Sequence, residues 1–182
     1  MSSSLRVLAV CTHNRTRSVL IGGLLDELVN KGRLSAVVRT AGFSDGGESP
    51  TDNTVRFLAS RDIDVKDYLS HWMSDSGIAG ANLIITSEHQ HVVAIAGRWP
   101  DAFEYTFTLP ELVERGEAVG PRGEKAMESW LAEVNVGRPN PLDYLDVVVG
   151  EVDDPTGRAP AAWQACFAQL DDLTARLAVL LG

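Results

Sequence analysis

The feature that most constrains this chain is an apolar run that stops abruptly. Leu5–Val10 has the length and branched-residue content of a buried strand, and Cys11 closes it against the polar turn THNRTR. From Ser18 to Asn30 leucines recur at 20, 24 and 28, one face of a helix that Lys31-Gly32 terminates. A strand passing into a helix through six polar residues is the opening of a β–α unit, and the alternation continues. Ala36–Thr40 reads as a second strand before the glycine-rich AGFSDGGESPTD, and Thr51 or Asp52 caps a helix to about Arg61. Leu83–Thr86 is a third strand, followed by a helix from Ser87 to about Gly97. Tyr105–Thr108 is a fourth, with Leu109–Arg115 and Gly123–Val134 helical. Asn135–Leu142 holds two prolines and a glycine and reads as a loop. The run LDVVV is strand-like, and Ala159–Leu181 is a long helix with the buried stripe Cys166, Leu170, Leu173, Leu177 and Leu180. Alternating strands and helices predict an α/β fold, a parallel sheet covered on both faces. Such sheets bind ligands beyond the carboxyl ends of their strands, where Cys11 falls.

The 182 residues are expected to form one domain. The net charge of −9 argues against a nucleic-acid partner, because phosphate-backbone binding needs a basic face. No apolar run approaches a membrane span, and the N-terminus has no signal-peptide pattern, so a cytoplasmic location is expected. Cys11 and Cys166 lie far apart and form no CxxC pair, which argues against a disulfide framework or a structural zinc site. An anionic small substrate stays compatible with the acidic chain if a local cationic pocket attracts it.

The first turn offers such a pocket. If residues 12–17 wrap into a loop and a helix begins near Arg17, the backbone N–H groups of loop and first turn lack intrahelical partners and form an anion site. Arg17 adds a planar fork for two phosphate oxygens. The same field favours the thiolate of Cys11, which would lie beneath the phosphorus for in-line attack. Ser18 can donate a hydrogen bond to that sulfur, and Asn14 tolerates the positive φ of a sharp turn. The bland alternative is a buried, inert cysteine beside solvated arginines; for Cys166, on its helix stripe, that alternative is the preferred one. A leaving alkoxide needs a proton, and EVDDPTGRAP (Glu151–Pro160) is the best source. Pro155 restricts Asp154 to an extended backbone and fixes its direction. A plain acidic helix-entry loop is the competing reading.

Taken together, CTHNRTRS resembles the C-x5-R-S loop of the low-molecular-weight protein tyrosine phosphatases, and Asp154-Pro155 resembles their late Asp-Pro. ANLIITSEHQHVV is similar to their third strand and following helix. The resemblance covers most of the chain, with about 117–145 as an insertion. It implies a four-stranded parallel sheet flanked by helices, with a phosphate-binding loop after the first strand. It also implies two-step phosphomonoester hydrolysis through a phosphocysteine, without metal or other cofactor. Cys11, Arg17 and Asp154 would be catalytic, while Thr12, His13, Asn14, Arg15, Thr16 and Ser18 would hold substrate. The substrate would be a phosphorylated protein or small phosphomonoester.

The departures bear on substrate more than on reaction. His13 replaces the usual loop glycine, Arg15 and Thr16 follow Asn14, and Thr156-Gly157 stand where aromatic residues often follow the acid. Tyr68 falls at the position of the histidine that supports the loop asparagine, with His71 nearby. Two rivals follow: an arsenate reductase using an external small thiol, and an idle phosphate-binding module. His89 and His91, two apart on a helix, make a poor metal pair and read as surface or core-edge residues. Trp72 is the tryptophan to consider as a pocket wall.

Overall fold

The computed structural model describes residues 4–182. Four strands, β1 (Leu5–Cys11), β2 (Ala36–Gly42), β3 (Leu83–Thr86) and β4 (Thr106–Thr108), form one parallel sheet in the order β2-β1-β3-β4. β1 is central, which is why its sequence is almost continuously apolar: six of its seven residues are buried. Among the described residues seven α-helices surround it: α1 (Arg17–Asn30), α2 (Asp52–Ala59), α3 (Asp75–Ala79), α4 (His89–Arg98), α5 (Leu109–Val119), α6 (Met127–Val134) and α7 (Pro160–Leu181).

Alternate residues of each strand face opposite layers. Val7, Ala9, Ile85 and Phe107 join Leu20, Leu24, Leu112, Trp130, Leu170 and Leu177 in one core beneath α1, α5, α6 and α7. Leu8, Val10 and Ile84 pack on the other face against Ile78, Ile95 and Ala102. The α7 stripe is buried as its spacing predicts, Cys166 included, and burial pushes that thiol up to about 11. It is a core residue with no thiolate character at neutral pH.

Three expectations need correction. The run LDVVV forms no strand: Asp143–Asp146 is a 3-10 turn and Val148 is almost fully exposed. Here the chain crosses the carboxyl ends of β3 and β4 instead of extending the sheet, with Gly150 O accepting from Thr108 Oγ1 at 2.7 Å and Val152 N donating to Ser87 O at 2.8 Å. The helix expected from Gly123 starts only at Met127, since Gly123 itself has φ of 55°. Tyr105 belongs to the 3-10 turn Pro100–Tyr105 before β4. No helix among the described residues is long and apolar enough to cross a membrane.

Candidate active site

β1 delivers Cys11 to the carboxyl edge of the sheet, and residues 12–16 wrap around a concavity before α1 begins at Arg17. Carbonyls of this loop turn outward: Thr12 O accepts from Phe43 N (2.8 Å) and Ser44 N (3.0 Å), and Arg15 O accepts from Thr51 N (3.0 Å). Among the described residues, no backbone N–H of residues 12–18 has a protein acceptor, and no side chain caps α1. Unpaired N–H groups gathered around one helix start form an anion cradle. Gly42 permits the loop to close against β2, because a Cβ there would lie 2.8 Å from Asn14 N and 2.9 Å from Thr12 O. Asn14 turns the chain at φ 53°, as its residue type suggests.

A chain of hydrogen bonds ends at the thiol. Tyr68 Oη donates to Asn14 Oδ1, which also accepts from His71 N at 2.8 Å. Asn14 Nδ2 donates to Ser18 Oγ at 2.8 Å, so the Ser18 proton is free for Cys11 Sγ at 3.1 Å. The sequence reading of Tyr68 as the support of Asn14 holds. Asn14, Thr16 and Ser18 are buried, and Thr16 Oγ1 turns to Thr51 Oγ1 at 3.2 Å. Their side chains build the loop, and His13 and Arg15 form its outer rim. His13 Nδ1 lies 2.8 Å from Ser44 Oγ, and Arg15 Nε donates to Ser49 O at 2.7 Å.

Arg17 is 1% exposed. Its Nη1 donates to Val152 O at 3.0 Å and to Glu88 Oε1, and its Nη2 donates to Asp154 Oδ2 at 2.9 Å. Nε is buried without a protein partner. Two carboxylates therefore flank the cation, one of them unanticipated. Burial pushes Glu88 up, but the hydrogen bond and charge of Arg17 carry it below the usual carboxylate range. Burial likewise opposes ionisation of Asp154, and bonds from Thr156, with the charges of Arg17 and His13, outweigh it. Asp153, by contrast, points into solvent and pairs with Arg158 at 3.0 Å.

His91, read with His89 as a surface or core-edge residue, has a place at the site that the sequence did not show. It is buried, and its Nε2 lies 3.0 Å from Thr12 Oγ1 while its Nδ1 accepts from Glu88 N at 3.2 Å. Glu88 and His91 form a reciprocal cap at the start of α4. A carboxylate and an acceptor three residues apart were visible in SEHQH, but their contact with the loop depends on the register of β3 beside β1. Trp72 lies instead in a groove of about 880 Å³ lined also by Tyr68 and His71, on the β2 side of the loop.

A family model described as low molecular weight phosphotyrosine protein phosphatase matches residues 6–116, well over half the chain. The chain belongs to that family. It is a cysteine-dependent phosphatase, a hydrolase of phosphomonoesters. A protein-arginine-phosphatase of Bacillus subtilis (strain 168) is 28% identical over 120 residues, 64% of this chain and 79% of that protein. The YwlE arginine phosphatase structure from Geobacillus stearothermophilus superposes with a TM-score of 0.70 at 24% identity, covering 96% of this phosphatase and 90% of that chain. The low molecular weight protein tyrosine phosphatase structure from T. tengcongensis gives 0.70 at 21% identity, covering 96% and 97%. These structural likenesses carry the fold.

Proposed function

We propose that the chain hydrolyses aryl phosphomonoesters, phosphotyrosine in a protein above all, through a phosphocysteine on Cys11. The observation that supports this most is the convergence of Cys11, the unpaired N–H cradle, Arg17 and Asp154 at one sheet edge. The Cys11 sulfur attacks phosphorus in line, and the loop N–H groups with Arg17 stabilise the equatorial oxygens as charge moves onto them. Arg17 offers Nε, and Nη2 once Asp154 yields it. Substrate then alters Asp154 in two ways: it takes over the cation that held the carboxylate ionised, and it brings a dianion close by. Both favour the protonated acid, which protonates the departing oxygen. In the second step Asp154 takes a proton from water as the P–S bond breaks, and the Ser18 hydroxyl stabilises the leaving sulfur.

The rim favours an oxygen ester over a phosphoguanidine. A phosphoarginine leaving group places a guanidinium beside Arg15 and His13, whereas tyrosine brings a neutral ring. Residues 1–182 are taken as one domain, with about 117–145 as an insertion before the acid loop. The test presents one peptide sequence carrying phosphotyrosine or phosphoarginine to the parent, Cys11→Ser and Asp154→Ala proteins, with arsenate and a small thiol in parallel. Preferred phosphotyrosine turnover that disappears with Cys11→Ser is the expected result. Preferred phosphoarginine turnover, or arsenate reduction alone, refutes the proposed substrate.

A further inference from the structure

His91 stands outside the loop yet fixes one of its hydroxyls. Glu88 N–H donates to His91 Nδ1, so in a neutral ring the proton sits on Nε2, which then donates to Thr12 Oγ1. Burial depresses the His91 imidazole to about 4, the charge of Glu88 opposing, so the ring is neutral across the physiological range. Its plane is held by stacking on Phe43, with centroids 5.3 Å apart. Phe43 also donates its backbone N–H to Thr12 O at 2.8 Å, so both ends of Thr12 are gripped by one wall. A threonine oxygen that accepts from His91 has its own proton left to give, and no acceptor among the described residues takes it. Thr12 follows the nucleophile directly and is half-buried, at the edge of the N–H cradle.

We propose, on the phosphatase reading above, that His91 is a positioning residue that presents the Thr12 hydroxyl as a hydrogen-bond donor to an oxygen of the bound phosphate. The reversed arrangement, with Thr12 donating to His91, needs an unprotonated Nε2; the Glu88 N–H on Nδ1 rules it out. A neutral donor here adds a hydrogen bond to the dianion without adding a cation that would compete with Arg17 for Glu88 and Asp154.

A double-mutant cycle tests it. Thr12→Val, His91→Leu and the double variant are compared with the parent for kcat/KM on an activated aryl phosphate and for affinity toward inorganic phosphate. Each single replacement is expected to lower both by roughly tenfold, the worth of a hydrogen bond to a charged acceptor. The double variant is expected to lose no more than one of them. His91→Leu also removes the acceptor for Glu88 N, so its drop in Tm is the same in both backgrounds; a merely structural role would carry the kinetic loss into both as well. Multiplying losses, or a single variant with parental kinetics and phosphate affinity, overturns the proposal. Absence of Cys11-dependent turnover in the parent removes the phosphatase reading instead, and phosphate titration of the same four proteins still decides the role of His91.

Discussion

Arg17 Nη2 stands 2.9 Å from Asp154 Oδ2, tying the cation at the start of α1 to the carboxylate in the loop before α7, 137 residues away in sequence. On the proposed mechanism this one contact couples anion binding to proton supply. Whatever oxygen takes Nη2 from Asp154 also changes that carboxylate's hold on a proton.

Asp154→Ala is therefore expected to cost roughly 10²–10⁴-fold in kcat/KM, which reports the step up to phosphocysteine formation, on an ester with a poor leaving group such as phenyl phosphate. With a nitrophenyl ester, whose oxygen departs without a proton, the loss should be far smaller. Steady-state kinetics on both esters make the comparison. Equal losses on the two would mean that Asp154 contributes binding or structure and not the proton.

Tyr68→Phe removes the donor to Asn14 Oδ1 while keeping the ring, and Thr40 Oγ1 loses its partner at 2.6 Å. The His71 N–H still holds Asn14, so the loop persists with a less fixed Ser18. A fall in kcat of roughly fivefold to tenfold is expected, with stability lowered by about 1 kcal/mol. Kinetics and urea denaturation check the two figures; unchanged kcat would break the proposed chain from Tyr68 to Cys11.

His91 makes stability depend on pH with a definite sign. Its folded value of about 4 lies below the ordinary 6.5. Between those values the unfolded chain binds the extra proton and the folded chain does not, so stability rises with pH across that window. At about 1.36 kcal/mol per pH unit the contribution is roughly 3 kcal/mol, lost as pH falls from 6.5 to 4. His91→Gln retains an acceptor for the α4 cap but does not titrate, so its Tm should fall less than the parent's over the same range. Parallel Tm profiles would contradict a buried neutral imidazole.

The segment before the acid loop is anchored by Arg138, whose side chain is 1% exposed. Its Nε donates to Glu111 Oε1 at 2.9 Å, its Nη1 to Phe103 O at 2.9 Å and its Nη2 to Thr106 O at 2.7 Å. Tyr144 Oη donates to Glu111 Oε2 at 2.7 Å. Arg138→Met leaves the Glu111 carboxylate buried with the Tyr144 hydroxyl and, at 3.3 Å, Arg115 as the remaining cation beside it. A loss of about 3–5 kcal/mol is expected in urea titration, and Arg138→Met with Glu111→Leu should recover much of it. A single variant as stable as the parent would contradict the buried pair.

Much of the site was legible because its chemistry is local. Cys11, Asn14, Arg17 and Ser18 lie within one strand–turn–helix, and backbone geometry alone brings them together. Tyr68 required a family pattern, and Asp154, singled out by its place before Pro155, needed one to separate an acid from a plain helix-entry loop, since nothing in their own neighbourhoods says which loop they face. Glu88 and His91 escaped because their role depends on β3 lying beside β1, an arrangement that hydrophobic periodicity does not encode. LDVVV misled for a related reason. Branched residues favour extended backbone, but pairing needs a neighbouring edge, and this stretch spans the strand ends, where Val148 faces solvent.

The most direct test of the central claim is the covalent state of Cys11 during turnover. Acid-quenched protein from a reaction with an activated aryl phosphate, digested and analysed by mass spectrometry, should carry phosphate on the Cys11 peptide, and Cys11→Ser should release no phenol. Turnover that proceeds with Cys11 unmodified and survives Cys11→Ser would contradict nucleophilic catalysis by this thiol.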